Sequence, residues 1–144
     1  MGHQDVGHFA AKHPQGTKID PAVEAKIKQH LSGDQLNCIA AHDIAKEFSI
    51  SPSQVGIAMD LMEVRIGKCQ MGLFGYQPEK RIVKPATNVS PQLKESIQNA
   101  LTDQRISCKR CWELAEIHKL RKIDVASACE ALDIRINTCQ LGAF

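Results

Sequence analysis

The cysteines are the most reactive side chains in this sequence, and two of them form a C-x-x-C motif at Cys108 and Cys111. Tetrahedral zinc takes four thiolate or imidazole ligands, so this motif could bind zinc together with Cys139 and either Cys129 or His118. The same thiols could act as a redox-responsive pair, although nothing in the sequence establishes a lowered thiol pKa. The alternative is plain packing, because free cysteine is commonly buried. We therefore predict no metal and no cofactor, and keep four candidate ligands: Cys108, Cys111, Cys129 and Cys139.

Motifs of enzyme active sites are missing from the sequence. It contains no phosphate-binding G-x-x-x-x-G-K-[ST], no nucleophile motif G-x-S-x-G and no zinc-protease motif H-E-x-x-H. The remaining acidic and basic residues follow helical spacing, which is typical of solvated helix faces. We therefore predict that the protein is not an enzyme.

Charge and aromatic content limit the classes of partner. The chain has 18 basic and 16 acidic side chains, a formal net charge of +2, so the whole molecule does not attract nucleic acid or anionic lipid strongly. One Trp, one Tyr and four Phe are too few to form a stacking platform for single-stranded nucleic acid. Any contact with nucleic acid must therefore be local.

The N-terminal stretch "MGHQDVGHFAAKHPQG" lacks the apolar core of a signal peptide. No apolar run approaches the about 20 residues that span a bilayer. We therefore expect a cytoplasmic protein without a membrane partner. His3, His8 and His13 are five residues apart and do not share a helical face, so residues 1–20 are predicted to be a loosely structured arm without a metal site.

An internal repeat organises the rest of the chain. A shift of 70 positions aligns Pro21 to Phe74 with Pro91 to Phe144 without a gap, and 13 positions are identical. We therefore predict a first repeat at 21–76, a linker of restricted flexibility at 77–90 and a second repeat at 91–144. Each repeat is near the lower size limit for independent stability, so we expect the two to pack together or the chain to dimerise.

Three helices and a small sheet are predicted in each repeat. Apolar residues at intervals of four mark a first helix, with Val23, Ile27 and Leu31 in one copy. A short extended segment and a second helix follow, and Ser51 with Pro52 predicts the start of a third helix. The segments "VRIGKCQMGLFGY" and "IRINTCQLGAF" predict a strand that enters a short hairpin, which forms a small antiparallel ribbon. The predicted fold class is mainly α with small β wings (α+β).

This order of elements resembles the winged helix-turn-helix superfamily over both repeats, about three quarters of the chain. The apolar positions of a helix-turn-helix are filled by Ile44, Ala45, Phe48, Ile50, Val55 and Ala58, and in the second copy by Leu114, Ala115, Leu120, Val125 and Ala128, with His118 replacing the Phe. At the turn, where the family usually has Gly in a left-handed conformation, the chain has Ser49 and Lys119. The resemblance implies two tandem winged-helix units that bind double-stranded DNA, in a transcriptional regulator or an accessory to one.

The predicted DNA contacts combine few candidates for reading bases with many for contacting phosphates. Gln54, Arg121 and Lys122 are the strong candidates for base edges in the major groove. Arg65 and Arg135 could reach a phosphate from the base of each wing, or could be solvated arginines at a strand start. The full set of candidates is Ser53, Gln54, Arg65, Lys80, Arg81, Lys84, Lys109, Arg110, Lys119, Arg121, Lys122, Ser127 and Arg135.

Two other hypotheses stay open. The thin recognition face and the low charge favour a protein-interaction or architectural module whose "CQMGLFGY" and "CQLGAF" edges meet a protein partner or a second copy. A metal or redox sensor would use the thiols of the second copy, but the first copy has Ala41 and Met59 at the positions of Cys111 and Cys129. Winged-helix strand pairing would also bring Cys38 beside Cys69, and Cys108 beside Cys139.

Overall fold

The computed structural model describes residues 9–144, which form a mixed α and β fold. A short 3-10 helix spans Phe9–Lys12. Helices and strands then follow in the order α1 (Pro21–Gln29), β1 (Gln35–Asn37), α2 (Cys38–Glu47), α3 (Pro52–Leu61), β2 (Arg65–Gly67), α4 (Pro91–Asn99), β3 (Arg105–Ser107), α5 (Cys108–His118), α6 (Lys122–Ala131) and β4 (Arg135–Asn137). Every element of the first repeat therefore has a counterpart 70 residues later.

Sequence signals explain where these helices begin. The Asp20 and Ser90 side chains accept the first backbone N–H groups of α1 and α4, and a proline follows each cap. The Ser51 side chain caps α3, as predicted, and Gln54 returns a bond to the Ser51 N–H, which completes a capping box. The predicted order of three helices per repeat is confirmed.

The strands correct one sequence-based expectation. β1 pairs with β2, and β3 with β4, in parallel, with Gln35 opposite Arg65 and Arg105 opposite Arg135. The predicted antiparallel ribbon was wrong, because α2 and α3 separate the paired strands and such a long crossover suits parallel pairing. Within residues 9–144, no strand that follows β2 pairs back with it. The predicted wing hairpin is therefore not formed in the described part of the chain.

The compact units do not coincide with the sequence repeats at their ends. Unit 1 comprises Met1–Cys69 and Gln140–Phe144, whereas unit 2 comprises Gln70–Cys139. The end of each repeat therefore packs in the unit built mainly from the other repeat. Leu141 is 2% exposed and Met71 is fully buried. Each unit thus buries apolar surface that its own repeat does not supply.

Candidate nucleic-acid interface

The helix pairs α2–α3 and α5–α6 form the centre of the two units. Val55 and Val125, at equivalent places on α3 and α6, are fully buried. The turn residues Ser49 and Lys119 adopt φ values of 54° and 57°. Non-glycine residues rarely adopt this left-handed conformation, so the tight turn that the sequence resemblance implied at these two positions is present.

Two of the expected core positions in unit 2 differ from the first copy. Leu120 is 39% exposed, so it contributes less to the core than the sequence pattern implied. His118, at the position of Phe48, hydrogen-bonds the Ser96 hydroxyl on α4 through Nε2 at 2.9 Å. Unit 2 thus has a polar bond between α5 and α4 at the position where the first copy has an aromatic residue.

The outer face of α3, opposite its core face, is covered in the middle. Gly56 is buried against the backbone of Leu141, whose carbonyl carbon would lie 2.8 Å from a β-carbon on Gly56. Asp60, one turn later, is 8% exposed. Both residues share a helix face with Ser53, a predicted DNA contact, so only the N-terminal end of α3, with Ser53 and Gln54, remains exposed on that face.

The 3-10 helix Phe9–Lys12 completes this cover. The backbone N–H groups of Phe9 and Ala10 donate to the Glu63 carboxylate at 3.0 and 2.9 Å. Lys12 pairs with Asp60 at 3.1 Å, and its ammonium also donates to the Gly142 carbonyl at 3.3 Å. Within the region predicted to be a loose arm, residues 9–12 are thus anchored to α3. The apolar Phe9 was the one sequence signal for this contact, while His3 and His8 lie outside the described residues.

His13 belongs to the same cluster of side chains. Its Nε2 lies 2.8 Å from an Asp60 carboxylate oxygen. Asp60 therefore contacts both Lys12 and His13, which offsets the cost of burying a carboxylate. A phosphate could not approach this part of α3 without displacing those partners.

The outer face of α6 is covered by the chain between the repeats. Ala126, the counterpart of Gly56, is fully buried. The Ser127 carbonyl accepts the Ala86 N–H at 2.9 Å, and Arg81 forms an ion pair with Glu130. A β-carbon on Gly72 would lie 2.8 Å from the Ile123 side chain. Residues predicted to form a linker thus pack along α6, and Ser127 and Arg81, two candidate DNA contacts, participate in that packing.

Most of the remaining candidates lie on the surface of unit 2. Lys122 is half-buried, with its ammonium 4.5 Å from the centre of the Trp112 ring. Lys109 and Trp112 are three residues apart on α5, so they lie on the same face of that helix. The Lys122 side chain covers this face. The candidates that are exposed in unit 2 are Lys80, Lys84, Lys109, Arg110, Lys119, Arg121 and Arg135.

Two of these arginines are bonded to carboxylates in their own helices. Arg110 pairs with Glu113 at 2.8 Å, and Arg121 pairs with Asp124 at 2.9 Å. The Arg121 side chain holds the pKa of the Asp124 carboxyl below its ordinary value, chiefly through this hydrogen bond. Asp124 also accepts the Arg121 backbone N–H at 3.0 Å, so the carboxylate satisfies the N–H group of the residue that precedes α6.

The two arginines at the strand starts differ in environment. The Arg65 guanidinium lies 4.0 Å from Asp34, and its buried Nε lacks a hydrogen-bond partner among the described residues. Arg135 is exposed. The two repeats therefore have arginine at this position, but in different environments.

Charge is distributed unevenly between the units. Unit 2 has 11 basic and 8 acidic side chains, a net charge of +3, whereas unit 1 has 7 and 8, a net charge of −1. Five basic residues around the ends of α5 and the start of α6 have uncharged counterparts in the first repeat. These pairs are Lys109/Ile39, Arg110/Ala40, Lys119/Ser49, Arg121/Ser51 and Lys122/Pro52.

All six cysteines lie within residues 9–144 and are present as thiols, not as disulfides. All are buried except Cys139, which is half-buried. Cys111 and Cys129 hydrogen-bond each other in unit 2. Across residues 9–144, no three His, Cys, Asp or Glu side chains converge in a way that could hold a metal ion.

A search among the helices of residues 9–144 finds none that combines the length and the apolar character needed to cross a bilayer. Comparison of the chain with protein-family models, curated proteins and solved structures gives no match.

Proposed function

We propose that this protein binds double-stranded DNA through unit 2, and that its two units are tandem variants of the winged helix-turn-helix. The fold part of the proposal is supported by the buried Val55 and Val125 and by the left-handed turns at Ser49 and Lys119. The parallel strand pairs and the missing hairpin make these units wingless in residues 9–144.

One observation carries the DNA-binding proposal: five basic residues at α5 and the start of α6, four of them exposed and Lys122 half-buried, have no charged counterpart in the first repeat. Lys109 and Lys122 flank Trp112, and Lys119 and Arg121 lie in the turn that leads into α6. In a helix-turn-helix, the N-terminal end of the recognition helix enters the major groove while the preceding helix crosses the backbone. Positive charge at these places suits contacts with phosphates.

The middle of the third helix in each repeat is covered. This limits the DNA bases that such a protein contacts. Ile123, Ser127 and Glu130 are engaged by residues 72–86, Gly56 by Leu141, and Asp60 by Lys12 and His13. Base recognition is then restricted to the first turn of α6, with Arg121 and Lys122. We therefore expect phosphate contacts to dominate and discrimination between sequences to be low, which fits an architectural protein or an accessory to a regulator.

A salt titration of the full-length protein with random duplex DNA tests the proposal. The logarithm of the affinity should fall linearly with the logarithm of salt concentration, with a slope of about −0.9 per neutralised phosphate. The triple variant Lys109→Gln, Lys119→Gln, Lys122→Gln should bind more weakly and lower the slope by up to about three such contacts. The matched control in unit 1, Lys18→Gln, Lys28→Gln, Lys46→Gln, removes the same number of charges and should bind as the unmodified protein does. Absence of binding at low salt would contradict the proposal.

A protein-interaction module is the second candidate, and one observation favours it. Ile117, on α5 of unit 2, is 69% exposed, close in sequence to Leu120, which is 39% exposed. Exposed apolar residues of this kind suit a protein partner or a homodimer. Sedimentation equilibrium of the full-length protein and of Ile117→Lys tests this candidate: a dimer that dissociates in the variant supports it, and a monomer in both opposes the homodimer.

A further inference from the structure

Three thiols meet at the α5–α6 contact of unit 2, where the proposed DNA contacts do not need them. Cys108 begins α5, Cys111 follows one turn later, and Cys129 lies near the end of α6. Cys111 is fully buried, and Cys129 is 1% exposed. The two side chains hydrogen-bond each other, so their sulfurs are adjacent inside the unit and away from solvent.

The two sulfurs differ in acidity because one thiol donates to the other. Donation of the Cys111 S–H to Cys129, together with burial, raises the pKa of Cys111. The same hydrogen bond lowers the pKa of Cys129, because a donated proton stabilises a thiolate. Cys129 is thus the better nucleophile of the pair, since the thiolate is the reactive form.

Comparison with unit 1 shows that this pair is not required by the fold. Ala41 and Met59 occupy the equivalent positions on α2 and α3, and both are buried. A small methyl group and a thioether thus fill the same space in an equivalent helix pair. Thiols at these two positions of the helix pair therefore occur in unit 2 and not in unit 1.

We propose that Cys111 and Cys129 are a reversible disulfide site that hydroperoxides oxidise, linking α5 to α6. The Cys129 thiolate attacks one peroxide oxygen, the O–O bond breaks, and the departing hydroxide takes up a proton to form water, which leaves a sulfenic acid on Cys129. The Cys111 sulfur then attacks the Cys129 sulfur; the S–S bond forms, the S–O bond breaks, and the second hydroxide takes the Cys111 proton. Two thiols thereby lose two electrons to the peroxide, and a thiol reductant reverses the change.

Burial makes the reaction depend on local opening of unit 2. The outer face of α6 is held by the bond between the Ala86 N–H and the Ser127 carbonyl and by the Arg81–Glu130 pair. Peroxide reaches Cys129 when this packing loosens, so oxidation is expected to be slow in the native protein. Arg81→Ala should increase its rate several-fold.

Peptide mapping of the full-length protein tests the proposal. Reduced protein is treated with hydrogen peroxide, the remaining thiols are alkylated, and trypsin is added without reductant. Cleavage after Arg110 and Lys119 isolates Cys111, and cleavage after Lys122 and Arg135 isolates Cys129. The expected product is a linked pair of these peptides that separates on reduction. A map in which both peptides stay alkylated, or in which Cys111 joins Cys108 instead, overturns the proposal.

Two substitutions taken from the first repeat provide controls that keep the fold. Cys111→Ala and Cys129→Met introduce the residues found at Ala41 and Met59. Each should abolish the linked peptides completely. In Cys111→Ala, a sulfenic-acid trapping reagent should label Cys129, because no second thiol resolves the intermediate there; absence of that label contradicts the assigned nucleophile.

Discussion

The backbone of Leu141 lies against Gly56 so closely that a β-carbon at that glycine would overlap the Leu141 carbonyl oxygen. These residues are 85 positions apart and belong to different repeats, yet they share one compact unit. The end of the second repeat is therefore a structural part of the first unit. It also occupies the α3 surface that a recognition helix would use.

Gly56→Ala should destabilise unit 1 by about 1–3 kcal/mol, because the new methyl group must displace the terminal segment. The sign is diagnostic: in an uncovered helix, replacing Gly with Ala stabilises by about 1 kcal/mol. Denaturant unfolding measures the stability, and hydrogen exchange at the backbone amides of Leu141 and Gly142 measures release of the segment. An increase in stability would show that Leu141 does not cover this position.

The equivalent residue in unit 2 provides the matched control. Ala126→Gly removes a buried methyl group and should cost about 1 kcal/mol through helix propensity. It should leave the hydrogen exchange at Leu141 and Gly142 unchanged, because Ala126 packs in unit 2. Faster exchange in this variant would mean that general loss of stability, and not the local clash, releases the segment.

Glu63→Gln should loosen the 3-10 helix at the N-terminus. The carboxylate accepts the N–H groups of both Phe9 and Ala10, whereas an amide offers one acceptor oxygen and turns an NH₂ group toward the other donor. Loss of one of these hydrogen bonds should weaken the attachment of the 3-10 helix to α3 by about 1–3 kcal/mol. Hydrogen exchange at Phe9 and Ala10 measures it, and Asp133→Asn, at the equivalent position of unit 2, should leave their exchange rates unaltered.

The sequence predicted the repeated elements well because their signals are local. Ser51 followed by Pro52 marks a helix start, and Val23 and Ile27 share one helix face, whatever the rest of the chain does. Strand direction was mispredicted because each strand has three residues, too few to carry a directional pattern. The glycine-rich segment after β2 also predicted a hairpin. It would form one only if the chain turned back to pair with β2, but the chain continues toward α6.

The exchanged segments could not be predicted from the sequence. Gln70 to Phe74 and Gln140 to Phe144 share three identical residues, so the pattern cannot distinguish packing on α3 from packing on α6. The outer face of each candidate recognition helix is covered because one of these segments packs on it. By contrast, the basic residues of unit 2 were identifiable, since their uncharged counterparts in the first repeat are visible in the alignment. Whether they contact DNA remains a proposal.

Acid should weaken α6 selectively through Asp124. Its pKa is lowered in the folded protein by the Arg121 hydrogen bond, so the stabilisation is fully present above the unfolded pKa of about 4. It is lost as pH falls through the lower folded value. Denaturation midpoints should therefore be measured from pH 7 downward in the unmodified protein and in Asp124→Gln, which has the residue found at Gln54 in the first repeat. Below about pH 4, the midpoint of the unmodified protein should decrease by more than that of the variant. Identical profiles would show that the Arg121 bond does not form in solution.

The Lys122 ammonium lies over the ring of Trp112, the only tryptophan in the chain, and this pair gives a direct optical test of the proposed interface. A cation held near an indole perturbs its emission, and the contact is worth only about 0.5–1 kcal/mol at an exposed site, so a phosphate can draw the ammonium away. Binding of duplex DNA should therefore shift the Trp112 emission. Lys122→Met keeps the apolar stem without the charge; it should show the shifted emission before DNA is added and no further change afterwards. If DNA binds to the unmodified protein, as measured by an independent label on the DNA, and the emission stays constant, Lys122 lies outside the interface and the contact surface must be sought elsewhere on unit 2.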